Sequence, residues 1–142
     1  GIINMNENVI DEYLDKEKSY KRLKEEFEAH KKLIIAYDLD STVFDYYNTG
    51  ASYEMVKDLI RKYKEYAYFI VFTSFEPDRY NEIKLILQKE NLPYDSINDD
   101  APFIAFKGRK VYYNILLDDR AGLNQTYNEL LRLYNEVIIN LK

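Results

Sequence analysis

The chain of 142 residues has no cysteine and no tryptophan, one histidine, three prolines and four glycines. Without cysteine there can be no disulfide, no thiolate-ligated zinc, no iron–sulfur cluster and no thiol nucleophile. The lone histidine, His30, stands far along the chain from every other candidate catalytic residue, which argues against a Ser-His-Asp or Cys-His device. No apolar run approaches the roughly 18 residues that a membrane span needs, and the start lacks the order of a secretory signal. Basic residues are also in deficit. Twenty Lys and Arg against 25 Asp and Glu leave a net charge of −5, which excludes a broad basic coat for duplex nucleic acid or an anionic membrane. These absences lead to the expectation of a cytoplasmic protein. Gly1 is no initiator, so Met5 reads as the natural start.

What remains is a packed globular composition, 46% hydrophobic and 15% aromatic, of a length suited to one core. From about Asn8 to His30, Ile10, Tyr13, Leu14, Tyr20, Leu23 and Phe27 recur at helical steps within a densely charged stretch. They predict an amphipathic N-terminal helix over 1–30, ahead of a domain over 31–142. Leu33 to Tyr37 is an apolar run ending at Asp38, the mark of a strand buried on both faces. A helix follows over Tyr53–Tyr66, with Met55, Val56, Leu59, Ile60 and Tyr63 inward. A second buried strand, Tyr68 to Phe72, ends at Thr73-Ser74, and Pro77 opens a third helix reaching Glu90. Residues 91–106 predict a loop with a short strand near Phe103, followed by the basic turn Lys107-Gly108-Arg109-Lys110. A third buried strand, Ile115 to Leu117, ends at Asp118-Asp119, and a final helix runs from Gly122. Alternation of strand and helix predicts an α/β fold, a three-layer Rossmann-like parallel sheet with helices on both faces.

In such sheets ligands bind beyond the carboxyl ends of the strands. The polar residues that close the three strands, Asp38 with Asp40, Thr73 with Ser74, and Asp118 with Asp119, should therefore meet in one place. Four carboxylates gathered there would repel one another unless a cation sat among them. An oxygen-only donor set suits a hard ion, Mg²⁺.

The run Tyr37-Asp38-Leu39-Asp40-Ser41-Thr42-Val43 resembles the first motif of the haloacid dehalogenase superfamily. Thr73 after Phe69-Ile70-Val71-Phe72 resembles the second motif, Lys110 the basic third, and Leu117-Asp118-Asp119 the acidic fourth. The resemblance covers roughly Leu33 to Leu130. It implies a phosphatase in which Asp38 attacks phosphorus and forms an aspartyl-phosphate, while Asp40 protonates the leaving oxygen and later deprotonates the hydrolytic water. Thr73 and Lys110 would steady the phosphoryl oxygens. Mg²⁺ would be held by Asp38, the carbonyl of Asp40, and Asp118 or Asp119. Ser74 competes with Thr73, and Lys107 and Arg109 with Lys110. Ser41 stands where many relatives have glycine.

Asp38 and Thr73 are 35 positions apart and Thr73 and Lys110 are 37, which leaves no room for a cap domain. By the resemblance, capless relatives act on phosphate groups carried by something large, such as a protein or a nucleic-acid end, or borrow a lid from a second subunit, and Asp118-Asp119-Arg120 resembles the phosphatase halves of polynucleotide kinase–phosphatases. The substrate expected is thus a phosphorylated small molecule or macromolecular end, a nucleotide or nucleic-acid end among them. Arg79, Lys107, Arg109, Tyr46 and Tyr47 are candidate substrate contacts, the tyrosines by stacking. Asp99-Asp100 follows no buried strand and reads as a loop pair. The N-terminal helix could pack as an ordinary layer or form a homodimer. The rival reading is a binding or regulatory protein of the same fold that holds the metal without turnover.

Overall fold

The structure is a computed structural model that describes residues 11–141. Met5 and the first turn expected from Asn8 to Ile10 lie outside the described residues. Among the described residues four α-helices and four strands run in the order α1 (Lys16–His30), β1 (Leu33–Asp38), α2 (Glu54–Lys62), β2 (Ala67–Phe72), α3 (Tyr80–Lys89), β3 (Ser96–Ile97), β4 (Ile115–Leu117) and α4 (Leu123–Glu136), with no helix between β3 and β4. All strand pairs are parallel and the order is β3-β2-β1-β4. The chain is thus an α/β protein with Rossmann-like layering.

β1 is central and pairs along its length with β2, from Leu33 opposite Ala67 to Asp38 opposite Phe72. Its register with β4 places Tyr37 opposite Leu117, one residue before the acidic pair. From β1 the connections run outward to β2 and β3, and then cross back to β4 on the other flank. The direction changes between β1 and β4, which is where a crevice opens in such sheets.

Alternate side chains of β1 feed two different cores, as the two-residue period of a strand requires. Leu33, Ile35 and Tyr37 join residues of all four helices in the main cluster. Ile34 and Ala36 face a smaller one with Ile70, Ala101, Val111, Tyr112 and Tyr113. The layer on that second face comes from segment 98–114, which crosses from β3 to β4 without a helix. Pro102 and Gly108 interrupt it and no helical period runs through it.

α1 belongs to the main core through Tyr20, Leu23 and Phe27. The Asp15 side chain accepts hydrogen bonds from the backbone N–H of Glu17 (2.8 Å) and Lys18 (3.1 Å), which caps α1 at its start. It ends at His30, before Lys31 in the left-handed region. Its stripe is an intramolecular layer: Tyr20 donates to Glu136 of α4 at 2.7 Å, and Ser19 to Glu129 at 2.8 Å.

Three local expectations change. α2 ends at Lys62 rather than Tyr66, and its Met55 faces solvent at 69% exposure. The short strand of the 91–106 region lies at Ser96–Ile97, because Asn98 adopts a left-handed φ of 58° and turns the chain. Phe103 lies in the irregular segment, edge-on to Tyr68. No helix among the described residues is long and apolar enough to cross a membrane.

Candidate active site

β1 delivers Asp38 at its carboxyl end, and the chain then closes a tight loop. The carbonyl of Leu39 accepts from the N–H groups of Val43 (3.1 Å) and Phe44 (2.9 Å), and the Ser41 N–H donates to the Phe44 carbonyl. Closing it places Ser41 at φ 63°, a region that favours glycine. Leu39, Thr42 and Val43 are buried beneath the loop, whereas Asp38 and Asp40 are half-buried.

Thr42 joins this loop to the one after β4. Its hydroxyl accepts the N–H of Asp119 at 3.1 Å, and its oxygen lies within donating distance of Asp38 Oδ2 (3.4 Å) and Asp119 Oδ1 (3.3 Å). Asp118 is held by accepting the Arg120 N–H at 2.8 Å. As a result Asp38, Asp118 and Asp119 each offer a carboxylate oxygen, and these oxygens lie within 4.8 Å of one another.

That proximity has an electrostatic cost. Burial, followed by the charges of Asp118 and Asp119, pushes the Asp38 carboxyl up to about 7. Asp40 is also raised, chiefly by burial and then by Asp119, while the guanidinium of Arg79 pulls it partly back. Asp40 Oδ1 is the one buried side-chain polar atom among the described residues that lacks a hydrogen-bond partner. Buried polar atoms are normally paired, so an orphan on an acid within electrostatic reach of Asp119 fits a site that takes a ligand. The donors are all oxygens, as a hard divalent cation prefers.

Asp38 also lines a cavity of about 560 Å³ with Phe72, Thr73, Ser74, Asn98, Lys110, Val111 and Tyr113. Thr73, Ser74 and Lys110 thus share a cleft with the first aspartate, whereas Lys107 and Arg109 are exposed and do not line it. The Thr73 hydroxyl accepts the Phe75 N–H at 3.1 Å, which leaves its own proton to donate.

Arg79 ends the short turn Pro77–Arg79, with its Nε bonded to Glu82 at 2.8 Å and its guanidinium 4.0 Å over the ring of Phe75. Tyr46 and Tyr47 lie exposed on the loop after β1, Tyr46 edge-on to Phe75. Asp100 serves the irregular segment instead, by accepting the Tyr112 N–H at 2.8 Å.

Two residues emerge that had no assigned role in the sequence. Thr42 is one. Asn98 is the other: its side chain accepts from the Thr73 N–H at 3.0 Å, and donates to the Thr73 carbonyl at 2.8 Å and to the Tyr80 hydroxyl at 2.9 Å. It fixes both backbone groups of the residue that faces the cleft. An asparagine just ahead of Asp99-Asp100 was the available signal, since asparagine tolerates the left-handed region.

No family model matches the chain, and no curated protein does. Among solved structures it is similar to the conserved protein coded by a locus from Bacteroides thetaiotaomicron. That likeness has 18% sequence identity and a TM-score of 0.57, and it covers 78% of this chain and 97% of the other. It shows a shared fold.

Proposed function

We propose that the chain is a capless, Mg²⁺-dependent phosphomonoester hydrolase of the haloacid dehalogenase type, working through an aspartyl-phosphate on Asp38. The observation that carries this reading is the meeting of the Asp38, Asp118 and Asp119 carboxylates, together with the unpartnered, buried oxygen of Asp40.

Asp38, Asp118 and Asp119 would supply oxygens to a divalent cation, with the Asp40 carbonyl as a further donor, and a cation held there would offset negative charge on the phosphoryl oxygens. The remaining steps belong to the protein's own groups. An oxygen of ionised Asp38 bonds to phosphorus as the bond from phosphorus to the leaving oxygen breaks, and Asp40 transfers its proton to that oxygen. A raised carboxyl suits Asp40 to this, because it holds a proton closer to neutral pH than an ordinary aspartic acid. In the second half-reaction Asp40 takes a proton from water, whose oxygen attacks phosphorus and breaks its bond to Asp38, releasing inorganic phosphate. Thr73, oriented by Asn98, donates its hydroxyl proton to a phosphoryl oxygen, and Lys110 faces the same cleft.

The test is release of phosphate from a generic aryl phosphate with and without Mg²⁺. Hydrolysis should require the ion and vanish in Asp38→Asn, and Asp40→Asn should accumulate acid-stable phosphoprotein. Turnover that survives Asp38→Asn overturns the mechanism. Metal binding with no turnover of any phosphomonoester would favour a binding protein.

A further inference from the structure

The loop that leaves Asp40 presents aromatic rings to solvent in a fixed arrangement. Tyr46 and Tyr47 are 51% and 67% exposed, yet their rings stand 5.1 Å apart at 89°. Tyr46 is in turn edge-on to Phe75 at 6.3 Å, and Arg79 lies over the other side of that contact, 4.0 Å from the Phe75 ring. The loop is pinned. One oxygen of Asp45 accepts from the N–H and hydroxyl of Thr49, each at 2.8 Å, and the other accepts from the Gly50 N–H at 2.7 Å. The rings are therefore displayed before any ligand arrives, which lowers the ordering cost of binding.

This cluster adjoins Asp40, the residue that hands a proton to the leaving group. Arg79 is close enough to act electrostatically on both Asp40 and Tyr46. Phe75 follows Thr73 and Ser74, which line the cleft beside Asp38, and its N–H donates to the Thr73 hydroxyl at 3.1 Å, so the cluster borders that cleft. The donors around the rings narrow the chemistry of the leaving group. Neither tyrosine hydroxyl, and neither terminal nitrogen of Arg79, has a hydrogen-bond partner among the described residues; only Nε is bonded, to Glu82. Two phenols and two guanidinium nitrogens beside exposed aromatic faces suit a planar ring rich in acceptor atoms. A bare phenyl ring would stack and leave them unmet.

Resting on the proposed phosphatase reading, we infer that Tyr46, Tyr47, Phe75 and Arg79 form a subsite for the leaving group, and that this group is a nucleoside whose base stacks on the tyrosines. A free nucleotide and a phosphorylated strand end carry the same chemistry, and the experiment separates them.

The probes are adenosine 5′-monophosphate, a 5′-phosphorylated oligonucleotide, ribose 5-phosphate and a phosphotyrosine peptide, each assayed with Mg²⁺. Base stacking on aromatic side chains is worth enough to raise kcat/KM about tenfold over ribose 5-phosphate. The Tyr46→Leu/Tyr47→Leu double variant should bring that ratio close to one. Both side chains are mostly exposed, so the fold should survive, as circular dichroism will show. The better of the two adenosine-bearing or strand-end probes identifies the natural source. A wild-type ratio near one, a ratio kept in the double variant, or a preference for the phosphopeptide overturns the subsite. If no probe is hydrolysed, the phosphatase reading fails on its own and calorimetry decides the subsite. Adenosine 5′-monophosphate must then bind about tenfold more tightly than ribose 5-phosphate in the wild type alone, and equal affinities refute the inference.

Discussion

Replacing Asp38 with asparagine should stabilise the metal-free protein while destroying the proposed reaction. At 4.8 Å or less from Asp118 and Asp119, ionised Asp38 meets two like charges. Each pair costs about 0.9 kcal/mol at the dielectric constant of water, and about 3.5 kcal/mol at the effective value near a protein surface. Asp38 is only about half shielded, so the watery limit weighs more and the sum is about 2 kcal/mol. An amide of the same shape removes both repulsions and can still meet the Thr42 hydroxyl. For a chain of this length the gain is a rise in Tm of about 6 °C. The sign with pH follows from the carboxyl being raised to about 7 in the fold, against an ordinary value of 3.8. Between those values the folded state holds a proton that the unfolded chain has lost, so wild-type stability falls as pH rises through the interval. The asparagine variant lacks this loss. In EDTA the two melts should nearly coincide around pH 4 and diverge up to pH 7, with the variant higher. Millimolar Mg²⁺ should then raise the wild type and leave the variant almost unmoved. A variant that melts at or below the wild type at pH 8 in EDTA would refute the charge cluster itself, whatever the outcome of any activity assay.

Thr42→Val keeps shape and burial but strands the Asp119 N–H. Urea unfolding should show a loss of about 1–3 kcal/mol, and an unchanged midpoint would deny that Thr42 ties the two loops together. Asn98→Gly keeps the left-handed backbone and loses the three side-chain hydrogen bonds to Thr73 and Tyr80, so both stability and kcat should drop. Asn98→Ala should cost about 1 kcal/mol more, because alanine is strained at that φ. Equal stability of the two variants would remove the backbone component. Glu136 is held below its ordinary value by the Tyr20 hydroxyl and then by Arg132. A depressed carboxyl contributes stability above its ordinary value and loses it as pH falls. Glu136→Gln should therefore flatten the decline of Tm below about pH 4.5, and a decline as steep as the wild type's would count against the contact.

The strands β1, β2 and β4 are legible in the sequence for one reason: each is an apolar run closed by polar residues, which is how a strand buried on both faces must read. β3 is not, since a two-residue strand has no run to show. Met55 sits at a helical step from Leu59, but the left-handed Tyr53 that precedes α2 sets its first turn so that Met55 meets water. The acidic cluster is legible because strand ends converge in a parallel sheet. Thr42 and Asn98 are harder, since each acts across a long gap in sequence. Thr42 reaches 77 positions to Asp119 and Asn98 reaches 25 back to Thr73, and no local pattern encodes a contact between two loops.

The space beside Asp38 is not the larger cavity of the fold. A space of about 830 Å³ opens beside Leu33, Ala67 and Tyr68, at the amino ends of the strands. Its size alone would make it the default binding site, and its chemistry argues otherwise. Of the acids that line it, Glu26 accepts from Asn114 at 2.7 Å and Asp95 from the Phe69 N–H at 2.7 Å, so both are spent in holding the fold. Its rings pair with one another, Tyr68 with Phe103 and Phe106 with Tyr112. That is the packing expected where an irregular segment, rather than a helix, covers the second face of a sheet and cannot fill the space beneath it. The smaller cleft has the opposite character. Its one acid, Asp38, is crowded by Asp118 and Asp119, Asp40 nearby in the chain keeps a buried oxygen unpaired, and Thr42 bonds the two loops together. Folding alone gains nothing from such crowding, and under the proposed function a cation and a phosphoryl group would relieve it, which is a reason to test the smaller space first.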